Sequence, residues 1–234
     1  MKTPAVLVLI GLLSGVPLSA SFESVRVDVT VEPQLPARLR MEGLREGRVT
    51  IVVDVDAEGQ LKDWLVTAAS HADLIRPCIE ALQQWRFTPA RYNGARVPAR
   101  QEISLTLSQT GAVISRTVME TVDDFFERVA GRRFDYQMCR ASEIDHPLVA
   151  THRVTPQYAT EAERQGVGGR VRVHFYVDEQ GKVRLPAVPA DTPSYLAAVA
   201  VEAMRGWTFE PPTRAGQPVL VAAVQEFDFG GASR

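Results

Sequence analysis

Four histidines, two cysteines and a few closely spaced carboxylates are the side chains with obvious chemical potential. His71, His146, His152 and His174 fall in a turn, an inter-repeat stretch and a strand-like stretch, and none stands at HExxH or another ligand spacing. No metal site is therefore expected. Asp54 and Asp56 lie two apart on one strand face, as a carboxylate pair for proton transfer would, but Asp56 ends its strand much as Asp178 does, and both read as turn formers. Asp123, Asp124 and Glu127 gather on the polar side of an amphipathic stretch, the usual pattern of a solvated helix face. GxSxG, the phosphate-binding loop and the glycine-rich dinucleotide fingerprint are all missing from the sequence, and no spacing favours a catalytic triad. The expectation is a protein that is not an enzyme and uses no cofactor and no metal.

Cys78 and Cys139 allow a disulfide if the chain is exported. Cys78 also shares a helical stripe with Leu74, Leu82 and Trp85, the position of a small core residue, so both readings stand. Export is suggested by the first residues. Lys2 precedes an apolar run from Ala5 to Val16, interrupted by Gly11 and Gly15, and Pro17 leads into Leu18-Ser19-Ala20-Ser21. A spanning helix needs about 20 apolar residues, so residues 1–20 read as a signal peptide cleaved near Ala20, with an uncleaved inner-membrane anchor as the alternative. Cleavage would remove only Lys2 among the charged residues and take the formal net charge from −2 to −3. Neither nucleic acid nor an anionic membrane surface is favoured by that balance, since phosphates demand clustered Lys and Arg.

The chemistry must then lie in the backbone, and the organisation of the chain says where. Gly47-Arg48-Val49, Val55-Asp56 and Gly59 recur as Gly169-Arg170-Val171, Val177-Asp178 and Gly181. Trp85-x-Phe87-x-Pro89 with Gly94 and Val97 recurs as Trp207-x-Phe209-x-Pro211 with Gly216 and Val219. The offset is 122 residues throughout, so the chain carries an internal duplication of two small domains and not a solenoid. Boundaries fall at 25–109 for the first, divergent domain, 110–153 for a helical connector and 154–234 for the second domain.

The pattern within each copy predicts helix, strand, strand, helix, strand. In the second copy, Pro156 to Gly166 suits a short helix; Val171, Val173, Phe175 and Val177 alternate with Arg170, Arg172, His174 and Tyr176 as a half-buried strand whose second set faces water. A turn at Asp178 to Gly181, a hairpin partner from Val183 and a helix carrying Leu196, Val199, Ala200, Ala203, Met204 and Trp207 follow. Val219 to Phe229 closes the domain as a long extended segment. In the first copy Pro77 marks the opening turn of a shortened second helix, and Val25, Val27, Val29 and Val31 form an extra strand or lead-in. Val118, Val122, Phe125, Phe126 and Val129 predict one amphipathic helix in the connector, with Asp123, Asp124, Glu127 and Arg128 on its wet side. Trp85, Phe87, Trp207 and Phe209 are expected to be structural core, because large rings just beyond a helix bury the most area against a sheet.

The second copy resembles the carboxy-terminal domain of TonB-type energy transducers. The residues that carry the resemblance are Pro156, Tyr158, Ala162, Gly166, Gly169, Val171, Val173, Phe175, Val177, Asp178, Gly181, Val183, Trp207, Phe209, Pro211, Gly216, Pro218 and Val219. It covers about Pro156 to Gly230 and, more weakly, Pro33 to Ser108. The resemblance implies an α+β fold of two tandem TonB C-terminal-like domains, each a small antiparallel sheet with helices in the order αββαβ. It implies a periplasmic protein, related to transducers for TonB-dependent outer-membrane transport, that binds an extended segment of an outer-membrane receptor or other envelope protein by strand addition. The edge so used would be Val219, Leu220, Val221, Ala222, Ala223, Val224, Gln225, Glu226 and Phe227. A transducer of this family also has a membrane helix with a Ser/His signature and a Pro-rich rod; here no His precedes His71 and the prolines are scattered. The expectation is a stand-alone binding relative, an adaptor, or part of a complex whose motor lies elsewhere, with no membrane span after processing. A self-associating structural envelope protein with paired edge strands, or an anchored transducer, are the alternatives.

Overall fold

The computed structural model describes residues 21–29, 31–117, 122–158, 168–189 and 191–230. The expected signal peptide and the helix expected between Pro156 and Gly166 lie outside the described residues, the latter almost entirely. The fold is α+β. In the first copy β1 (Phe22–Glu23), β2 (Arg26–Val29) and helix α1 (Ala37–Met41) precede β3 (Glu46–Val55) and β4 (Leu61–Ala69). Helix α2 (Ile75–Leu82), with Pro77 in its opening turn, leads to β5 (Arg86–Thr88), β6 (Ala90–Tyr92), β7 (Ala95–Val97) and β8 (Ala99–Ser108). Strand β2 is the lead-in suggested by the valine alternation, and it pairs with β5.

The stretch expected to be a helical connector holds more strand than helix. It comprises β9 (Gly111–Thr117), helix α3 (Val122–Val129), β10 (Tyr136–Gln137), β11 (Cys139–Arg140) and β12 (Ala150–His152). Val118 lies outside the described residues. The second copy follows as β13 (Gly169–Val177), β14 (Val183–Ala187), helix α4 (Ser194–Arg205), β15 (Thr208–Phe209), β16 (Thr213–Arg214), β17 (Gln217–Pro218) and β18 (Val221–Phe229).

The two main sheets run β10-β4-β3-β8-β9 and β11-β18-β13-β14. Their registers obey the 122-residue offset: Gly47 pairs with Leu107 as Gly169 pairs with Phe229, and Val55 with Leu61 as Val177 with Val183. The turns between these strands are built alike. Asp56 Oδ1 accepts from the backbone N–H groups of Glu58 and Gln60, at 3.0 and 2.8 Å, and Asp178 Oδ1 from those of Gln180 and Lys182, at 3.1 and 2.8 Å. The glycine that follows has φ +85° at Gly59 and +80° at Gly181, and a Cβ at either would run into the carbonyl oxygen of Phe87 or Phe209.

One face of each sheet buries its own helix. Val49, Ile51, Val53 and Val55 meet Leu74, Cys78 and Leu82; Val171, Val173, Phe175 and Val177 meet Leu196, Ala200 and Met204. Trp85, Phe87, Trp207 and Phe209 are buried in these two cores. Trp85 and Trp207 each donate through Nε1 to a backbone carbonyl at 2.9 Å, Val31 for Trp85 and Val154 for Trp207, so the polar edge of the ring is satisfied. Cys78 and Cys139 are both buried and unbridged, and burial pushes the Cys78 thiol up to about 12.

The opposite faces of the two sheets are wet only in part: Arg170 and Arg172 are exposed as expected, but the rest of β13's second face is covered. The two faces pack together through a third core in which Val52, Leu65 and Ala68 of the first copy meet Tyr176, Leu185, Leu220 and Ala222 of the second, with Phe125, Phe126 and Met138 from the intervening stretch. Tyr176, expected on the water side of its strand, is 1% exposed, and His174 is half-buried with its pKa lowered, by burial first and then by Arg100 and Arg172. Polar contacts cross the same seam. Arg184 donates from Nε and Nη2 to the two carboxylate oxygens of Asp63, Arg100 donates to the Leu185 carbonyl at 2.8 Å, and Tyr136 donates to Glu179 at 2.8 Å. Arg128, expected on the solvated side of its helix, reaches Glu102, whose side chain is 2% exposed.

Three outcomes follow for stability. Gly181→Ala should destabilise by about 2–3 kcal/mol in denaturant titration, since the new Cβ combines left-handed strain with a backbone clash. Phe125→Ala should cost about 3–5 kcal/mol, and calorimetry should still show one transition, because the core it opens belongs to both copies. Burial raises the Glu102 pKa, against the opposing pull of Arg128, so the folded chain holds that proton to higher pH than the unfolded chain. Its charge therefore weakens the fold as pH rises through the window above the ordinary glutamate pKa. Glu102→Gln should raise the melting temperature at pH 7.5, with the gain shrinking at pH 5.

Candidate partner-binding edge

The edge expected to receive a partner divides into a covered part and an open part. Val219 lies in the turn before β18, its N–H donating to the Pro212 carbonyl at 2.9 Å. Leu220 is buried in the core between the copies, and its carbonyl accepts from the Cys139 N–H at 2.8 Å. Val221 and Ala222 are paired in parallel with Cys139 and Arg140 of β11. These four are therefore not free edge: Val219 is held by its own copy, and the stretch between the copies returns to cover the other three. From Ala223 to Phe229 the strand pairs with β13 on one side, and among the described residues no strand pairs on the other.

The open part is regular and undefended. Its register against β13 runs from Phe229 opposite Gly169 to Ala223 opposite Phe175 without a bulge, and it contains no proline. Ala223, Phe227 and Phe229 face the second-copy core, where Phe227 meets Trp207 edge-on at 5.9 Å and Phe229 lies 5.5 Å from Tyr158. Val224, Glu226 and Asp228 point the other way and are exposed. Glu226 is engaged sideways by Arg172 at 3.4 Å and Arg170 at 3.7 Å, and Asp228 by Arg170 at 3.9 Å. Edge strands are commonly protected by bulges, prolines or uncompensated charge, and here the charges are matched within the sheet.

The first copy differs at the corresponding place. Strand β8 corresponds to β18 residue for residue, and β9 pairs with it antiparallel from Glu102 opposite Thr117 to Ser108 opposite Gly111. Shifted by 122, that cover falls on 224–230, the part left open in β18. Conversely Ala99 and Arg100, the equivalents of Val221 and Ala222, carry no added strand among the described residues. The residues Gly111-Ala-Val-Ile-Ser-Arg-Thr after the polar turn Gln109-Thr110 carry the signal that would have revealed this hairpin, a β-branched run beyond a turn.

The histidines are not brought together, and among the described residues no group of three or more His, Cys, Asp or Glu could hold a metal ion. Asp54 is half-buried and its pKa is raised, by burial first, although Arg205 and Arg100 pull it down; Asp56 is taken up by its turn. No helix among the described residues is long and apolar enough to cross a membrane.

The family described as Gram-negative bacterial TonB protein C-terminal matches residues 31–108 and 154–230, more than half of the chain and both copies. Among characterised proteins the chain is similar to Protein TonB of Vibrio cholerae serotype O1, with 31% identity over 86 residues. That match covers 36% of this chain and 35% of the relative, so it spans about a third of the relative's length. Two family matches, on two copies with one register, leave a plain conclusion: the chain belongs to the TonB family and carries tandem TonB C-terminal domains.

Proposed function

We propose that the protein is a non-catalytic periplasmic binding protein, related to the energy transducers of TonB-dependent outer-membrane transport. Its second copy takes an extended segment of an outer-membrane receptor as an added strand beside β18. The observation that carries this reading is the contrast between equivalent edges: the first copy's is filled by β9, and the second copy's is open from Ala223 to Phe229 among the described residues. An unpaired strand of that length presents alternate N–H and C=O groups that water satisfies only until another backbone replaces it. Main-chain pairing supplies affinity, and the side chains flanking the edge supply preference. Export by residues 1–20 would bring the domain to the compartment where receptor segments are exposed.

The same contrast bears on stoichiometry. Two receptive edges would support avidity for a pair of segments. With β8 already completed by β9, only the β18 member of this equivalent pair is open among the described residues.

Titrating isotope-labelled protein with amino-terminal peptides of outer-membrane receptors from the same cell should shift amide resonances of Ala223–Phe229 and leave β8 unmoved. Calorimetry should give one peptide per chain. Proline placed at a sheet-facing position of the bound peptide should weaken binding about tenfold for each lost hydrogen bond. Shifts confined to β9, together with a concentration-dependent dimer, would favour a self-associating envelope protein instead.

A further inference from the structure

Strand β11 is two residues long, yet it is held at both ends. Behind it, the Met138 N–H donates to the Thr67 carbonyl at 2.8 Å, and β10 is paired to β4, so the approach is anchored on the first copy. Ahead of it, Glu143 closes a turn on Arg140. The Arg140 N–H donates to Glu143 Oε2 at 2.8 Å, and the Glu143 N–H donates to the Arg140 carbonyl at 3.0 Å. The chain cannot continue along β18 while that turn is closed. Asp145 then ties the loop to the β16–β17 hairpin: its N–H donates to the Thr213 carbonyl at 2.8 Å, and its carboxylate accepts from the N–H groups of Gly216 and Ala215 at 2.9 and 2.8 Å. Those donors hold the Asp145 carboxyl below its usual range, Gly216 contributing most.

Parallel pairing of Cys139 with Val221 and of Arg140 with Ala222 thus occupies one end of the edge with a segment fixed from two sides. Arg140 is itself steadied, its guanidinium lying 4.3 Å over the Phe126 ring and 3.6 Å from Asp123.

We propose that β11 is a register stop for the added strand. This rests on the reading that β18 receives a partner backbone, and it adds where that backbone must end. The incoming segment is admitted from Ala223 to Phe229 and no further, because its next position is already filled by Arg140. The partner is therefore an extended segment with about seven pairing residues, a length set by β11 and not by the nine residues of β18. Cys139 and Arg140 determine specificity by position, and slippage of the partner toward Leu220 is blocked.

The test is amide hydrogen exchange on the full chain, free and bound to the receptor peptide selected by titration, for the native sequence and for Cys139→Pro and Glu143→Ala. Proline at 139 removes the donor to Leu220, and the milder, solvent-side Glu143→Ala releases the turn should the first variant fail to fold. In the native protein, peptide-induced protection should appear at Val224, Glu226 and Asp228, whose N–H groups point to the open side, and end there. In the variants, exchange at Ala222, whose N–H faces β11, should quicken at least about tenfold in the free protein, and peptide should then extend protection to it. A gain of protection at Ala222 in the native protein, or a footprint that does not lengthen in a folded variant with faster exchange at Ala222, would overturn the register stop and leave strand addition intact. An absence of protection on β18 in every protein would overturn both.

Discussion

The burial of Tyr176, Leu185, Leu220 and Ala222 against Val52, Leu65 and Ala68 is the contact on which the rest of the molecule turns. Each sheet covers one face with its own helix and would leave an apolar patch bare on the other. Small domains bury too small a fraction of their surface to tolerate that comfortably, and the two copies resolve it against each other. Helix α3 closes the same core with Phe125 and Phe126, so the described part of the stretch between the copies packs as part of the body.

Packing the sheets in this way constrains their rims. Once the faces are joined, the chain between the copies has to run over both of them, and it uses its backbone as it goes: β9 on β8, β10 on β4, β11 on β18, β12 on β15. Buried peptide groups require partners, so each crossing settles a stretch of edge that the sheets alone would leave unsatisfied. The stretch left over, beyond Ala222, is a consequence of where this path turns away, at Arg140 and Glu143.

Much of this architecture was legible because repetition gives the same reading twice. The glycines, the alternating valines, the Asp-Gly turns and the Trp-x-Phe-x-Pro ends each have a local physical cause, and local causes survive in sequence. What was not legible depends on contacts between distant residues. Tyr176 and His174 sit at polar-alternating positions and read as solvent-facing, yet the first copy covers them. Arg128 and Glu102 read as a surface helix residue and a strand residue, 26 positions apart, with nothing in the pattern to join them. Leu220 read as edge because covering it takes Cys139, whose nearest neighbours show no strand-length alternation. Short strands of two residues carry no periodicity at all.

The seam between the copies also records how a repeated unit comes to prefer its unlike twin. Positions that correspond under the offset meet there with opposite chemistry: Asp54 where the second copy has Tyr176, Asp63 where it has Leu185, Arg100 where it has Ala222. Arg100 lies 5.9 Å over the ring of Tyr176 and bonds the carbonyl of Leu185, while Asp63 takes the neighbouring Arg184. Two first copies face to face would set Asp54, Asp63 and Arg100 against their own kind without those apolar and carbonyl counterparts. Two second copies would set Tyr176 and Leu185 together and strand Arg184. Unlike side chains at equivalent positions make this seam one that fits the first copy to the second, with distinct left and right halves.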